Sequence, residues 1–257
     1  MLHLLTTSLM LLTGLNLPAT PVQTVRNIRW RVHPDRRSTQ GLQNILANPT
    51  AGHPKKDPNR RPSKSTLAFH EELVVKSYHP RKFSDLIKNC LRPPRATLDY
   101  RKTLLLEHYG LPVAKAVAYG NETNRINGTG FLVMRRFTDS RTMHDCFASG
   151  GRPADAHHCG QIIGRLHSHG LRHKDLKYHN LLINSCGERC LVDMEGIRLQ
   201  ILPHTAGLMK DLLHFYRNFQ RAGAQPAPGV AAAFWRAYLR CHPPAKRRAL
   251  IAARHAL

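Results

Sequence analysis

Residues 171–196 read LRHKDLKYHNLLINSCGERCLVDMEG. Asp175, Lys177 and Asn180 fall close together, and a second aspartate, Asp193, follows Asp175 by eighteen positions. Phosphoryl transfer needs a carboxylate near the attacking hydroxyl, a carboxylate and an amide oxygen on Mg²⁺, and a cation near the phosphates. This stretch supplies each in order. The plainer alternative is a surface turn, because an isolated Asp-Leu-Lys carries no information. The elements that would have to hold these side chains decide between the two.

The first regular pattern is VRNIRWRV at 25–32, whose alternation predicts an edge strand. From there to about residue 64 the chain is rich in Pro, Gly, Asn, Lys and Arg and reads as an exposed loop. STLAF, a polar turn at HEE and LVVKSY predict a hairpin with Lys76 on its second strand. Residues 97–109 space Leu98, Leu104, Leu105 and Leu106 among charges, which predicts a helix stopped by Gly110. VAKAVAYG and GFLVMRRF are two apolar strands joined through a turn at Asn127-Gly128. After Phe137 a loop leads to a helix over 153–168 with Gly170 as its stop. LLIN and CLVDM then form two short strands, and LMKDLLHFYRNFQ and AAAFWRAYLR have helical patterns. The division that results is an apolar N-terminal segment at 1–24, a mixed lobe at 25–137 and a mainly helical lobe at 138–257, with 135–139 as the hinge.

Set on these elements, the chain resembles the protein-kinase-like fold. Its HxDxKxxN loop is His173, Asp175, Lys177 and Asn180, and its metal-binding aspartate is Asp193. The resemblance implies an α+β, two-lobed architecture with a compact helical C-terminal lobe. It implies Asp175 as the residue that orients the hydroxyl, Lys177 as a support for the transferred phosphoryl group, Asn180 and Asp193 on Mg²⁺, and Lys76 on the α and β phosphates of ATP. Adenine is expected against GFLVMRRF, with the backbone at Arg135 and Arg136. Among such families the chain is most similar to the lipopolysaccharide kinases that act on Kdo or heptose. The run LHSHGLRHKDL at 166–176, a D-x-E motif at Asp193-Met-Glu195 and the turn in YGLPVAKAVAYG carry that likeness. The acceptor it implies is an anionic glycolipid, a sugar hydroxyl of the lipopolysaccharide core.

The chain departs from the general kinase pattern in three places. No G-x-G-x-x-G precedes Lys76, so backbone amides of PSKST are expected to cover the phosphates. The acid that pairs with Lys76 is either Asp99 or Glu107, with Asp99 favoured. Glu195 is either a second metal ligand or a loop carboxylate. His173 is expected to serve as framework, and His167 and His169 as packing residues. Only 64 residues follow Asp193, without an A-P-E sequence, which disfavours a polypeptide acceptor. The alternatives kept open are a compact atypical Ser/Thr protein kinase, a small-molecule kinase and a catalytically dead scaffold.

A formal charge of +23, from 39 Lys and Arg against 16 Asp and Glu, favours anionic partners. Basic residues cluster at Lys55, Lys56, Arg60, Arg61 and Lys64, at Arg81, Lys82 and Lys88, and at Lys246, Arg247 and Arg248. They suit acidic core sugars and peripheral contact with the cytoplasmic face of an inner membrane. No specific nucleic-acid partner is expected, because the aromatic residues sit within apolar patterns rather than along a groove. Six scattered cysteines make no disulfide framework, and Cys186 and Cys190 read as hairpin residues rather than zinc ligands. Residues 2–19 share the apolar run of a signal peptide but lack its basic start, so signal, anchor, packed segment and misassigned start all stay open.

Overall fold

The computed structural model describes residues 22–51, 53–54, 65–80, 92–123, 128–200, 205–220 and 228–255. The apolar run at 2–19, the basic clusters at 55–64 and 81–88, Gly52 and Asn127 lie outside the described residues. Two compact units emerge. One contains the described residues of 22–105 and 114–138, and the other those of 106–113 and 139–255.

The first unit is built on a seven-stranded antiparallel sheet. Its strands are β1 (Val22–Val25), β2 (Ile28–Val32), β3 (His53–Pro54), β4 (Ser65–Phe69), β5 (Leu73–Tyr78), β6 (Ala116–Glu122) and β7 (Gly130–Arg135), in the order β1-β2-β6-β7-β5-β4-β3. The single edge strand expected at 25–32 is a hairpin instead. Arg26, with φ 57°, turns the chain between β1 and β2, and β2 pairs with both β1 and β6. Trp30 is fully buried from β2.

Both faces of the sheet are covered. Helix α1 (Leu42–Ala47) lies inside the stretch expected to be loop; Gly41, with φ 71°, precedes it, and Leu42, Ile45 and Leu46 are buried from it at helical spacing. These three join Trp30, Leu73, Val75, Phe131 and Val133 in one core, each side chain contributing about 1.5–3 kcal/mol. Helix α2 (Arg95–His108) covers the opposite face through Ala96, Tyr100 and Leu104, which pack on Tyr78 and Leu132. Period-two alternation therefore sets Lys76 and Tyr78 on the α2 side and Val75 on the α1 side.

The second unit holds β8 (Ser140–Thr142), α3 (Met143–Ala148), α4 (Pro153–Ser168), β9 (Leu171–His173), β10 (Leu181–Asn184), β11 (Arg189–Leu191), β12 (Ile197–Leu199), α5 (Thr205–Gln220), α6 (Pro228–Arg240) and α7 (Pro244–His255). β8, β10 and β11 form one small sheet, and β9 pairs with β12. Helix α3 starts on a capping box: Thr142 Oγ1 accepts the Asp145 N–H at 3.2 Å and Asp145 accepts the Thr142 N–H at 3.1 Å. Helices α4 and α6 touch backbone to backbone. A Cβ on Gly160 would sit 2.3 Å from the Phe234 carbonyl, and one on Gly164 would sit 2.8 Å from that of Tyr238. This contact fixes α4, and with it the start of the segment that carries Asp175.

Candidate functional site

The segment after α4 alternates between anchors and presented groups. His173, Leu176, Tyr178 and Asn180 are buried, whereas Lys174, Asp175, Lys177 and His179 are half-buried or exposed. Main-chain bonds shape it: Lys174 N–H donates to Gly196 O at 3.0 Å, Leu176 N–H to His173 O at 3.1 Å and Asn180 N–H to Lys177 O at 3.0 Å. Tyr178 stacks on Phe215 of α5 at 3.9 Å and meets the edge of Phe147 of α3 at 5.1 Å. Burial pushes its phenol well above the ordinary range, so it packs as a neutral side chain.

Asp175, about half exposed, is held by its neighbours. Lys177 Nζ lies 2.7 and 2.8 Å from the two carboxylate oxygens, and His214 Nε2 lies 3.5 Å from one of them. Asn180 Nδ2 donates to the Asp175 carbonyl at 3.0 Å, which turns the amide so that its oxygen is the group left for another ligand. Val192 N–H donates to Asn180 O at 2.9 Å, so the strand leading to Asp193 is tied to the same turn. Asp193 itself is left-handed, with φ 64° and ψ 66°, at the head of the short helical turn Met194–Gly196. That conformation is uncommon outside glycine. Glu195 is half-buried in the same turn, and its carbonyl accepts from Arg198 at 2.6 Å.

His173 joins the two aspartates. Its Nδ1 accepts the Asp175 N–H at 3.3 Å, which leaves the proton on Nε2 to be donated to the Asp193 carbonyl at 3.0 Å. Burial lowers its pKa, and bonding to Asp193 opposes that only in part, so the ring works as a neutral brace. Gly196 makes room for it: a Cβ there would lie 2.5 Å from His173 Cε1 and Nδ1. The framework role expected of His173 is the one its contacts describe. His167 and His169 pack as expected, His167 against Tyr238 with a 2.9 Å bond and His169 stacked on Tyr109 at 4.1 Å.

Sequence reasoning missed Asp211 of α5, which is buried beneath this segment. It accepts the His173 N–H at 3.1 Å and both Arg172 Nε, at 3.2 Å, and Arg172 Nη2, while His167 Nε2 stands 3.6 Å away. Burial pushes its carboxyl up, and the hydrogen bonds and charges of His167 and Arg172 more than reverse this, leaving the pKa lowered. The available signal was its place on the apolar stripe, three residues after Leu208 and four before Phe215, both buried. His214, one turn later on α5, was missed as well.

Lys76, Asp99, Arg135 and Arg136 belong to the sheet unit. Lys76 is buried on β5 with Nζ 5.2 Å from the centre of the Tyr78 ring. Tyr78 O–H donates to Asp99 Oδ2 at 2.7 Å, and Lys102 stands 3.6 Å from Asp99 Oδ1. Lys76, Tyr78 and Asp99 thus share the face under α2. Glu107 is half-buried near the end of that helix. Arg135 and Arg136 are exposed at the end of β7. Their amides already donate, to Lys115 O at 2.8 Å and Glu72 O at 2.7 Å, so contact with a base at these two residues falls to their carbonyls.

An amide oxygen from Asn180 and a carboxylate from Asp193 are hard oxygen donors that fit Mg²⁺, which keeps several waters and takes few protein ligands. Among the described residues no group of three or more His, Cys, Asp or Glu could hold a metal ion. Cys186 is exposed on its hairpin, while burial pushes the Cys190 thiol up to about 12. Among the described residues no helix is long and apolar enough to cross a membrane.

Residues 50–240 match the model of the lipopolysaccharide kinase (Kdo/WaaP) family. The 3-deoxy-D-manno-octulosonic acid kinase of Xylella fastidiosa (strain M23) is 27% identical over 143 residues, covering 49% of this chain and 57% of that protein. The enzyme of the same name from Xanthomonas euvesicatoria is 30% identical over 124 residues, covering 48% and 49%. The matches thus span about half the length of these relatives. Among solved structures, WaaP in complex with acyl carrier protein superposes with a TM-score of 0.57 at 15% identity, over 90% of this chain and 95% of that one. The structure of WbdD gives 0.50 at 16% identity, over 80% and 50%. The fold is therefore the kinase-like α+β fold, and the chain belongs to the lipopolysaccharide kinase (Kdo/WaaP) family.

Proposed function

We propose that this protein transfers the γ-phosphoryl group of ATP to a sugar hydroxyl of the lipopolysaccharide inner core, Kdo or heptose. The observation that carries the reading is the Asp175 carboxylate, half exposed yet fixed by Lys177, by Asn180 at its carbonyl and by His173 at its amide. In this reading Asp175 orients the acceptor hydroxyl and takes its proton late in the transfer. Lys177 leaves its ion pair as the phosphoryl group arrives and offsets the charge that develops there. Lys76, over the ring of Tyr78, whose O–H is bonded to Asp99, neutralises the α and β phosphates. The carbonyls of Arg135 and Arg136 border the adenine. Asn180 and Asp193 would hold Mg²⁺, with Glu195 as a further candidate carboxylate, and the ion would supply charge neutralisation on the phosphates.

The relatives named above are Kdo kinases, so Kdo is the first acceptor to test. The net charge of +23 suits an acidic glycolipid and peripheral contact with an anionic inner membrane on the side where ATP is available. The test is incubation of the purified chain with labelled ATP and a panel of deacylated core oligosaccharides, intact lipopolysaccharide, casein and small amino alcohols. Mass analysis should find one phosphate added to a core sugar. Label confined to casein would replace the proposal with a compact protein kinase, and label confined to an amino alcohol would replace it with a small-molecule kinase.

A further inference from the structure

A hollow of about 270 Å³ opens on the helical unit between α4, β11 and the segment before β6, lined by Pro112, His158, Gln161, Ile162, Arg165 and Arg189. None of the residues assigned above to phosphoryl transfer lines it. Its polar wall is cationic, with two guanidinium groups, an imidazole, a carboxamide and no carboxylate. The nearby acid, Asp155, is buried and bonded to Arg152 at 3.0 and 3.2 Å. Arg189 uses Nη1 on the Gly187 carbonyl at 2.6 Å, while its Nε is buried with no hydrogen-bond partner. Arg165 uses one nitrogen, Nη2, on the Tyr109 carbonyl at 2.9 Å, which steadies the side chain and leaves its other N–H groups for a ligand.

A buried donor on a cation costs free energy unless something accepts from it. Paired guanidinium groups at one concave surface match the oxygens of a phosphate, with forked N–H groups meeting adjacent acceptors. Size limits the ligand: the hollow falls below the roughly 300 Å³ at which sites for larger organic ligands begin, too small for a nucleoside triphosphate. The apolar flank of Pro112 and Ile162 leaves room for little beyond the first carbons of a monoester. Burial lowers the affinity of His158 for a proton, and the positive charge of Arg189 lowers it further. A bound anion would reverse that.

We infer that this hollow is a second anion site, one that takes a phosphate or phosphomonoester group through Arg165, Arg189, His158 and Gln161. Calorimetric titration of the full chain with inorganic phosphate at 150 mM added salt tests it. Saturable binding is expected, weakened at least tenfold by Arg165→Gln and abolished in the Arg165→Gln, Arg189→Gln protein. Arg189→Lys keeps the charge but loses Nε, and should also bind at least tenfold more weakly if the double variant does not fold. Vesicles of phosphatidic acid in phosphatidylcholine then separate the sources. Vesicle binding displaced by free phosphate assigns the site to a lipid headgroup, and vesicle binding indifferent to it assigns the site to a soluble phosphate. Absence of saturable binding, or equal affinity in the wild-type, Arg165→Gln and Arg189→Lys proteins, overturns the inference.

Discussion

The buried carboxylate of Asp211 accepts the main-chain N–H of His173 at 3.1 Å, so helix α5 holds the backbone from which Asp175 is presented. The same carboxylate takes Arg172 in a two-point pair, and it sits among Leu208, Leu212 and Phe215. A charge in that setting is tolerated only because every oxygen has donors. Removing it therefore affects both stability and the position of the loop. Asp211→Ala should lower stability by about 3–5 kcal/mol, since it strands Arg172 and the His173 amide. Asp211→Asn should cost less, about 2 kcal/mol, because the amide oxygen can still accept one bond. Urea unfolding midpoints check both, and an Ala variant within 0.5 kcal/mol of the parent would show that α5 does not carry the loop.

Gly196→Ala should be deleterious without touching any charged group. Its Cβ would meet the His173 ring at 2.5 Å, which forces the ring off its bonds to Asp175 and Asp193. Overpacking of this kind costs about 1–3 kcal/mol, and loss of the brace should lower kcat at least tenfold. Steady-state kinetics on the folded variant reads this directly; unchanged kcat contradicts the bracing role.

Tyr78→Phe isolates the support of Asp99. It deletes one buried hydrogen bond of 2.7 Å while keeping the ring beneath Lys76. The expected loss of stability is about 1 kcal/mol. KM for ATP should rise severalfold, and Lys76→Met should reduce kcat far more. Equal kinetics in Tyr78→Phe and the parent would separate Asp99 from the nucleotide.

Acid should destabilise the helical unit through its buried histidines. His242 is held down to about 4 by burial and by the charges of His167, Lys246 and Arg247, and His167 is lowered chiefly by burial. In the unfolded chain both titrate near ~6.5. As pH falls below that value the unfolded chain takes up protons that the folded one refuses, so stability is full above it and declines toward pH 4. Denaturant unfolding from pH 7.5 to 4.5 should show a slope approaching about two protons from these groups, and His242→Gln should remove about one. A stability that does not fall in this window contradicts the assignment.

Long, regular elements were legible in the sequence because their patterns repeat. Helix α4 was expected at 153–168 and occupies those residues, and the hairpins β4-β5 and β10-β11 followed from apolar runs around polar turns. Short elements were not. Helix α1 has six residues and shows its apolar spacing only once, within a stretch whose Pro and Gly read as loop. Helix α3 is equally short and is marked mainly by the box of Thr142 and Asp145. C-terminal helix α7, rich in Lys and Arg, was not expected either. Within the candidate site, Asp175, Lys177, Asn180 and Asp193 stand out in the sequence because phosphoryl transfer uses side chains of those types. Asp211 was not, because a supporting residue is defined by what it touches, here a main-chain amide 38 positions away.

The central claim rests on Asp175, and the most direct measurement compares the parent with Asp175→Asn in two assays on the same preparations. One is calorimetric binding of a non-hydrolysable ATP analogue with Mg²⁺, and the other is the rate of phosphate transfer to a deacylated Kdo-containing core oligosaccharide. Asparagine keeps the shape but cannot take the hydroxyl proton, and it loses the charge that pairs with Lys177. The account predicts nucleotide affinity within about threefold of the parent and a transfer rate lower by about 10³ or more, at least 4 kcal/mol of barrier. Core phosphorylation by Asp175→Asn at a rate near that of the parent would contradict it.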